Sequence, residues 1–141
     1  MRKLIGLLVS VVALVVPVGA GAATTHESFD VTGTVFQCPT HTYTFTSGAI
    51  KEVLHESVDA TGTTHFTVTD TPDHVRIVDE NGDLYSLTGA IWYGGRNDEI
   101  LTATHMLNIV GRGGLSGSIR LVEQFRDGQL ISRDFGSCQL P

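Results

Sequence analysis

Apolar and polar residues alternate along much of this chain, most strictly on either side of a glycine-rich stretch at 111–114. Residues 100–110 (ILTATHMLNIV) and 118–126 (SIRLVEQFR) both carry period two, the repeat of a strand with one face on a core. Together they predict an antiparallel hairpin. With its turn centred near Gly114, Ile109 faces Ile119, Leu107 faces Leu121 and Ala103 faces Phe125. One pair on that apolar face is polar, His105 opposite Glu123.

The same alternation predicts strands at 29–36, 41–47, 50–58, 63–69, 75–79, 84–93 and 129–135. Residues 24–28 read as a polar leader that frays. Turns fall at 59–62, at 71–73 around Pro72, and at Asn81-Gly82, where the pair suits a type I′ hairpin. No segment of the mature chain holds a 3.6-residue apolar period for ten residues, so no helix is expected there. Short connections make sequential strands neighbours. The expected fold is all-β, an antiparallel up-and-down meander of eight to nine strands closed into a barrel, with a β-sandwich as the alternative.

The turn after the hairpin decides one more pairing. If residues 126–129 form a type I turn with a glycine bulge, Phe125 faces Ile131, Leu121 faces Phe135 and Glu123 faces Arg133. Without the bulge, Phe125 faces Leu130 and Glu123 faces Ser132. The first register gathers His105, Glu123 and Arg133 into one inner polar cluster. Such a cluster is either an ion pair fixing strand register or a site that handles a ligand or a proton. Two cationic partners would hold Glu123 ionised and favour protonation of His105.

The N-terminus reads differently from the rest. Arg2 and Lys3 precede an apolar run at 4–18, then Ala20-Gly21-Ala22, the pattern of a secretory signal peptide over residues 1–22, cut after Ala22. The remainder, 23–141, is one domain. With that leader removed, seven basic residues face fifteen acidic ones, a net charge near −8. No basic stripe exists, so nucleic acid and anionic membranes are poor partners. Cys38 and Cys138 are the only cysteines. In an oxidising compartment an even pair reads as a disulfide, here one joining the first strand to the last. The mature protein is expected to be secreted and monomeric.

Several chemistries lack their residues. The stretch 111–117 (GRGGLSG) has neither phosphate-loop spacing nor a following helix. The six histidines show no ligand spacing, so no metal and no cofactor is expected. No G-x-S-x-G elbow is present. The aromatics Tyr43, Phe45, Phe66, Tyr85, Trp92, Phe125 and Phe135 are spread over most strands. They fill a core, or, with Tyr43 and Trp92 facing a barrel lumen, line a site for a small apolar molecule.

Five segments, THTYTFTSG (40–48), EVLHESVDATG (52–62), GAIWYGGRN (89–97), IVGRGGLSGSIRLVE (109–123) and DFGSC (134–138), resemble a family of small secreted β-proteins encoded mostly by high-GC Gram-positive bacteria. The resemblance covers nearly the whole mature chain and implies secretion and an all-β fold. In outline the expected architecture is also similar to lipocalin-like and allene-oxide-cyclase-like barrels. Three function classes follow: a module binding a small apolar ligand, a structural or cell-envelope interaction protein with a filled core, and an isomerase or cyclase using lumen polar groups.

Overall fold

The computed structural model describes residues 21–139; the predicted leader lies outside them except for its last two residues. The described chain forms one antiparallel sheet of eight strands. They are β1 (Ala22–Asp30), β2 (Val35–Gln37), β3 (Thr42–Val58), β4 (Thr64–Val78), β5 (Leu84–Arg96), β6 (Glu99–Gly111), β7 (Ser116–Arg126) and β8 (Gln129–Gln139). The all-β antiparallel meander expected from alternation is what forms. The order is β1-β3-β4-β5-β6-β7-β8, with β2 beside β1 on the same edge of β3.

Boundaries differ from expectation in several places. The expected strand 29–36 is cut by a turn in which Thr34 N–H donates to the Val31 carbonyl at 3.0 Å and Gly33 is left-handed, so Phe29 and Asp30 end β1 while Val35 and Phe36 begin β2. The strand expected at 84–93 runs on to Arg96, leaving only Asn97 and Asp98 between β5 and β6. Residues 24–28 belong to β1, which pairs with β3 from Ala22↔Ser57 to Asp30↔Ala49. The segments 41–47 and 50–58 fuse into β3 through two register shifts around Ser47. The segments 63–69 and 75–79 fuse into β4, whose pairing with β5 breaks between Asp70 and Arg76. Pro72 made that stretch resemble a turn. It is instead carried through the ladder opposite Ile50, at the irregular stretch where a strand tolerates proline.

Turn chemistry explains the connections. Asp59 and Asp79 open two five-residue loops of one design, DATGT and DENGD. In each the Asp carboxylate accepts two backbone N–H bonds, from Thr61 and Thr63 at 2.8 and 3.0 Å and from Asn81 and Asp83 at 2.9 Å. Asn81 keeps an ordinary φ and only Gly82 is left-handed, φ 86°, so the expected two-residue type I′ turn gives way to this Asp-capped loop. Type I′ geometry appears elsewhere: Asn97-Asp98 (φ 48° and 64°) and Asp127-Gly128 (φ 50° and 70°) join β5 to β6 and β7 to β8.

The sheet rolls without closing. Cys38, just past β2, is bonded to Cys138 of β8, with Cα atoms 5.8 Å apart. Flat, six inter-strand steps would separate these edges by about 29 Å, so the bond requires a rolled sheet. Yet β1 and β8 do not pair with each other. The ladder is therefore not that of a closed barrel, and a single sheet replaces the alternative two-sheet sandwich. The bend is aided by left-handed residues in neighbouring strands: Gly48 in β3, His74 in β4 and Gly89 in β5. A Cβ on Gly89 would run into the backbone oxygen of Met106, so this close approach of β5 and β6 requires glycine.

That line of bends divides the interior. On one side Tyr43, Val75, Ile77, Tyr85, Leu87, Leu107, Ile109 and Ile119 pack with Cys38 into one buried cluster. Tyr43 and Tyr85 meet edge to face, centroids 6.4 Å apart. On the other side, toward the turns at 59–63, 97–98 and 127–128, the same inner face carries charged side chains.

Candidate functional site

The polar half of the interior has two clusters. The first spans β6, β7 and β8. Arg133 donates from Nη2 and Nε to Glu123 Oε1 at 2.6 and 2.8 Å, and His105 Nε2 sits 3.5 Å from Glu123 Oε2. Glu123 is 8% exposed. A carboxylate withdrawn this far from water must be paired, and here two partners flank it.

Sequence reasoning reaches this trio by a register that is partly wrong. The β6–β7 turn closes over 111–115, with Gly111 N–H donating to the Leu115 carbonyl at 2.8 Å. Its centre is Gly113, not Gly114. Leu107 therefore pairs with Ile119, His105 with Leu121 and Ala103 with Glu123, two residues away from the expected partners. A one-residue slip would have turned every side chain to the other face; a slip of two preserves the face. His105 and Glu123 thus meet diagonally.

The β7–β8 pairing repeats the lesson. The turn is a tight type I′, so Phe125 faces Leu130, as in the bulge-free alternative. A register shift between Gln124 and Phe125 then inserts the extra residue within β8, restoring Glu123↔Arg133 and Leu121↔Phe135. The bulge exists, one step beyond the turn.

His105 departs from expectation in its charge. Burial is the larger influence and pushes its pKa below the ordinary value, against the pull of Glu123 and with a further push from Arg133. The neutral ring points Nε2 at the carboxylate, which makes Nδ1 an acceptor. That Nδ1 is buried and has no hydrogen-bond partner.

The second cluster was not anticipated. Glu52 of β3 stands opposite Asp70 of β4, and Tyr93 of β5 donates its hydroxyl to Glu52 Oε2 at 2.8 Å. Burial, then the like charge and hydrogen bond of Glu52, raise Asp70 to about 7, so Asp70 keeps its proton through much of the acidic range. Burial also raises the Tyr93 phenol, with Glu52 and Asp70 adding to it. Asp70 Oδ1 is buried without a partner. Period two across 52–56 is the signal that could have put Glu52 on one face with Leu54; Asp70 stands two residues before Pro72, whose turn signal hides its place in β4.

The two clusters are linked by one row of the sheet, Asp70↔Ile91↔His105. Below it, between the turns that join β5 to β6 and β7 to β8, lies an open cleft of about 430 Å³. Asn97, Asp98, Glu99 and Ile100 line one side and Phe125, Asp127 and Gly128 the other.

Two sequence candidates stand elsewhere. Tyr43 is fully buried in the packed half, its hydroxyl without a partner and its pKa pushed up to about 12 by burial. Trp92 is 43% exposed and pairs with Thr104, so it lies on the outer face, opposite in direction to His105. Neither lines the polar interior. Of the other histidines, His41, His65 and His74 each bond a nearby carboxylate, of Glu80, Asp59 and Asp73, and His55 bonds Thr24. Among the described residues no set of three or more His, Cys, Asp or Glu side chains is arranged to hold a metal ion. Comparison with protein-family models, curated proteins and solved structures finds no match to this chain.

Proposed function

We propose that this protein is a secreted, monomeric module that binds a small, mainly apolar molecule, and that it belongs with the small secreted β-proteins its segments resemble. Export is supported by the leader pattern and by the Cys38–Cys138 bond, since cytosolic thiols are kept reduced. Among the described residues no helix is long and apolar enough to cross a membrane.

The observation that carries the binding reading is the division of the interior. One half holds the buried apolar cluster; at the end of the other lies an open cleft of about 430 Å³ whose lining includes Phe125 and Ile100, within the size range of small-molecule sites. The Cys38–Cys138 bond holds the rolled shape while leaving the polar half unlaced by a β1–β8 ladder.

Native mass spectrometry of the protein collected from culture medium tests this. A small molecule retained on the folded chain and lost on acid unfolding is the expected result. Displacement of the neutral apolar dye N-phenylnaphthylamine, weakened by Phe125→Asp, would place it in the cleft. Absence of both dye binding and any retained molecule would return the protein to the structural class.

A further inference from the structure

Trp92 is the only tryptophan of the chain, and it stands 43% exposed on the outer face of β5, directed away from both polar clusters. Its surroundings keep it uncovered. Along β5 its neighbours on that face are Ala90 and Gly94, the two smallest residue types, and across the sheet it pairs with Thr69 of β4 and Thr104 of β6. The row through it runs Val53, Thr69, Trp92, Thr104, Val122. Apolar side chains therefore alternate with hydroxyls at every strand spacing, about 4.8 Å. A protein interface is built on a continuous apolar core, and this alternation breaks one up. Thr67 and Thr102 add hydroxyls in the adjoining row, on either side of Gly94.

Charge narrows the occupant. The chain carries fifteen acidic residues, yet the three rows around Trp92, from positions 51, 53 and 55 on β3 to 120, 122 and 124 on β7, hold no carboxylate. Their fixed cations, Lys51 and Arg120, stand on the two outermost of these strands, and Lys51 is bonded to Asp73. The face offers nothing to hold a cation and no basic stripe for a polyanion. What it offers is an aromatic ring between hydroxyls, the complement of a pyranose with an apolar C–H face and hydroxyls at its rim. Thr69 and Thr104 are two strand spacings apart, about 10 Å, which leaves room for one sugar ring over the indole with a hydrogen bond at each side. We propose that this face binds a neutral polysaccharide of β-linked, all-equatorial pyranoses, one ring stacked on Trp92 and its rim hydroxyls bonded by Thr69 and Thr104. Axial hydroxyls would obstruct the stacking face, which is why the equatorial configuration is required. The site lies on the opposite side of the sheet from the buried clusters and shares no residue with the cleft.

Because no other tryptophan exists, fluorescence of the secreted chain reports on this site directly. Titration with cellohexaose and with N-acetylchitohexaose should give a saturable change in emission for at least one of them, which also identifies the sugar; α-linked maltohexaose should give none. Calorimetry then reads the variants against the chain that binds. Trp92→Ala should weaken it about tenfold or more, while Trp92→Phe, which keeps a ring, and Thr104→Val, which loses one hydrogen bond, should each weaken it several-fold. Phe125→Asp, in the cleft, should leave it unchanged. A melting curve for each variant separates lost affinity from lost folding. A saturable change with neither β-linked chain at millimolar concentrations, or affinity that survives Trp92→Ala in a folded protein, overturns the proposal and leaves the cleft reading standing. Equal binding of maltohexaose overturns the β-linked assignment.

Discussion

Replacing Asp70 by Asn removes a charge from the Glu52–Asp70 pair without changing its shape. In the folded protein Asp70 titrates near 7 instead of 3.8, chiefly through burial. A group whose pKa is raised by folding binds more protons in the native state than in the unfolded chain over that interval. Its contribution to stability is therefore complete below the unfolded value and is lost as pH rises through the folded one. A shift of this size corresponds to at most about 4 kcal/mol at 1.36 kcal/mol per unit. The side chain is only partly buried and water screens it, which reduces the figure to about 1–2 kcal/mol.

The measurement is urea unfolding of wild type and Asp70→Asn between pH 5 and 8, taken as a difference at each pH. Differencing matters because His105 acts in the same window with the opposite sign. Its pKa is lowered by burial, so its contribution is present above the unfolded value and is lost as pH falls from there through the folded one. Asp59, Asp73 and Glu80, held below the usual carboxylate range by hydrogen bonds, are lost only at more acid pH. Both proteins share all of these terms. Asp70→Asn should gain about 1–2 kcal/mol on wild type from pH 5 to pH 8. A difference constant within about 0.5 kcal/mol would show that Asp70 titrates normally and that the buried carboxyl pair does not exist.

Other outcomes follow from the same geometry. Glu123→Ala, which strips a buried carboxylate from Arg133 and His105, should cost about 2 kcal/mol or more in urea unfolding, with Glu123→Gln milder; a change under about 0.5 kcal/mol would put Glu123 at the surface. Reduction of Cys38–Cys138 opens a link between residues 100 positions apart and should cost about 3–5 kcal/mol, while the oxidised monomer should titrate no thiols under denaturing conditions. Gly89→Ala forces a Cβ onto the Met106 carbonyl and should cost about 3 kcal/mol or more. Gly33→Ala, also left-handed but facing open space, should cost only about 1–2 kcal/mol.

The sequence errors have a common physical origin. Alternation reports which face a side chain joins, and that is a local property: Leu107, Ile109, Ile119 and Leu121 are buried on the face assigned to them. It says nothing of how far one strand has slid along the next. That is set by the turn, and the β6–β7 turn needed five residues because Gly111 bonds Leu115. The slide was even, so the trio around Glu123 survived it. Asp70 had no such protection. Its neighbour Pro72 carries the strongest turn signal in its stretch, and only the pairing with β3, which joins Glu52 to Asp70 across 18 positions of chain, overrides it. A carboxyl that becomes acidic or basic through a partner so placed leaves no mark in its own sequence window. The polar half was legible where its residues lay within one hairpin, and silent where a bulged strand brought them together.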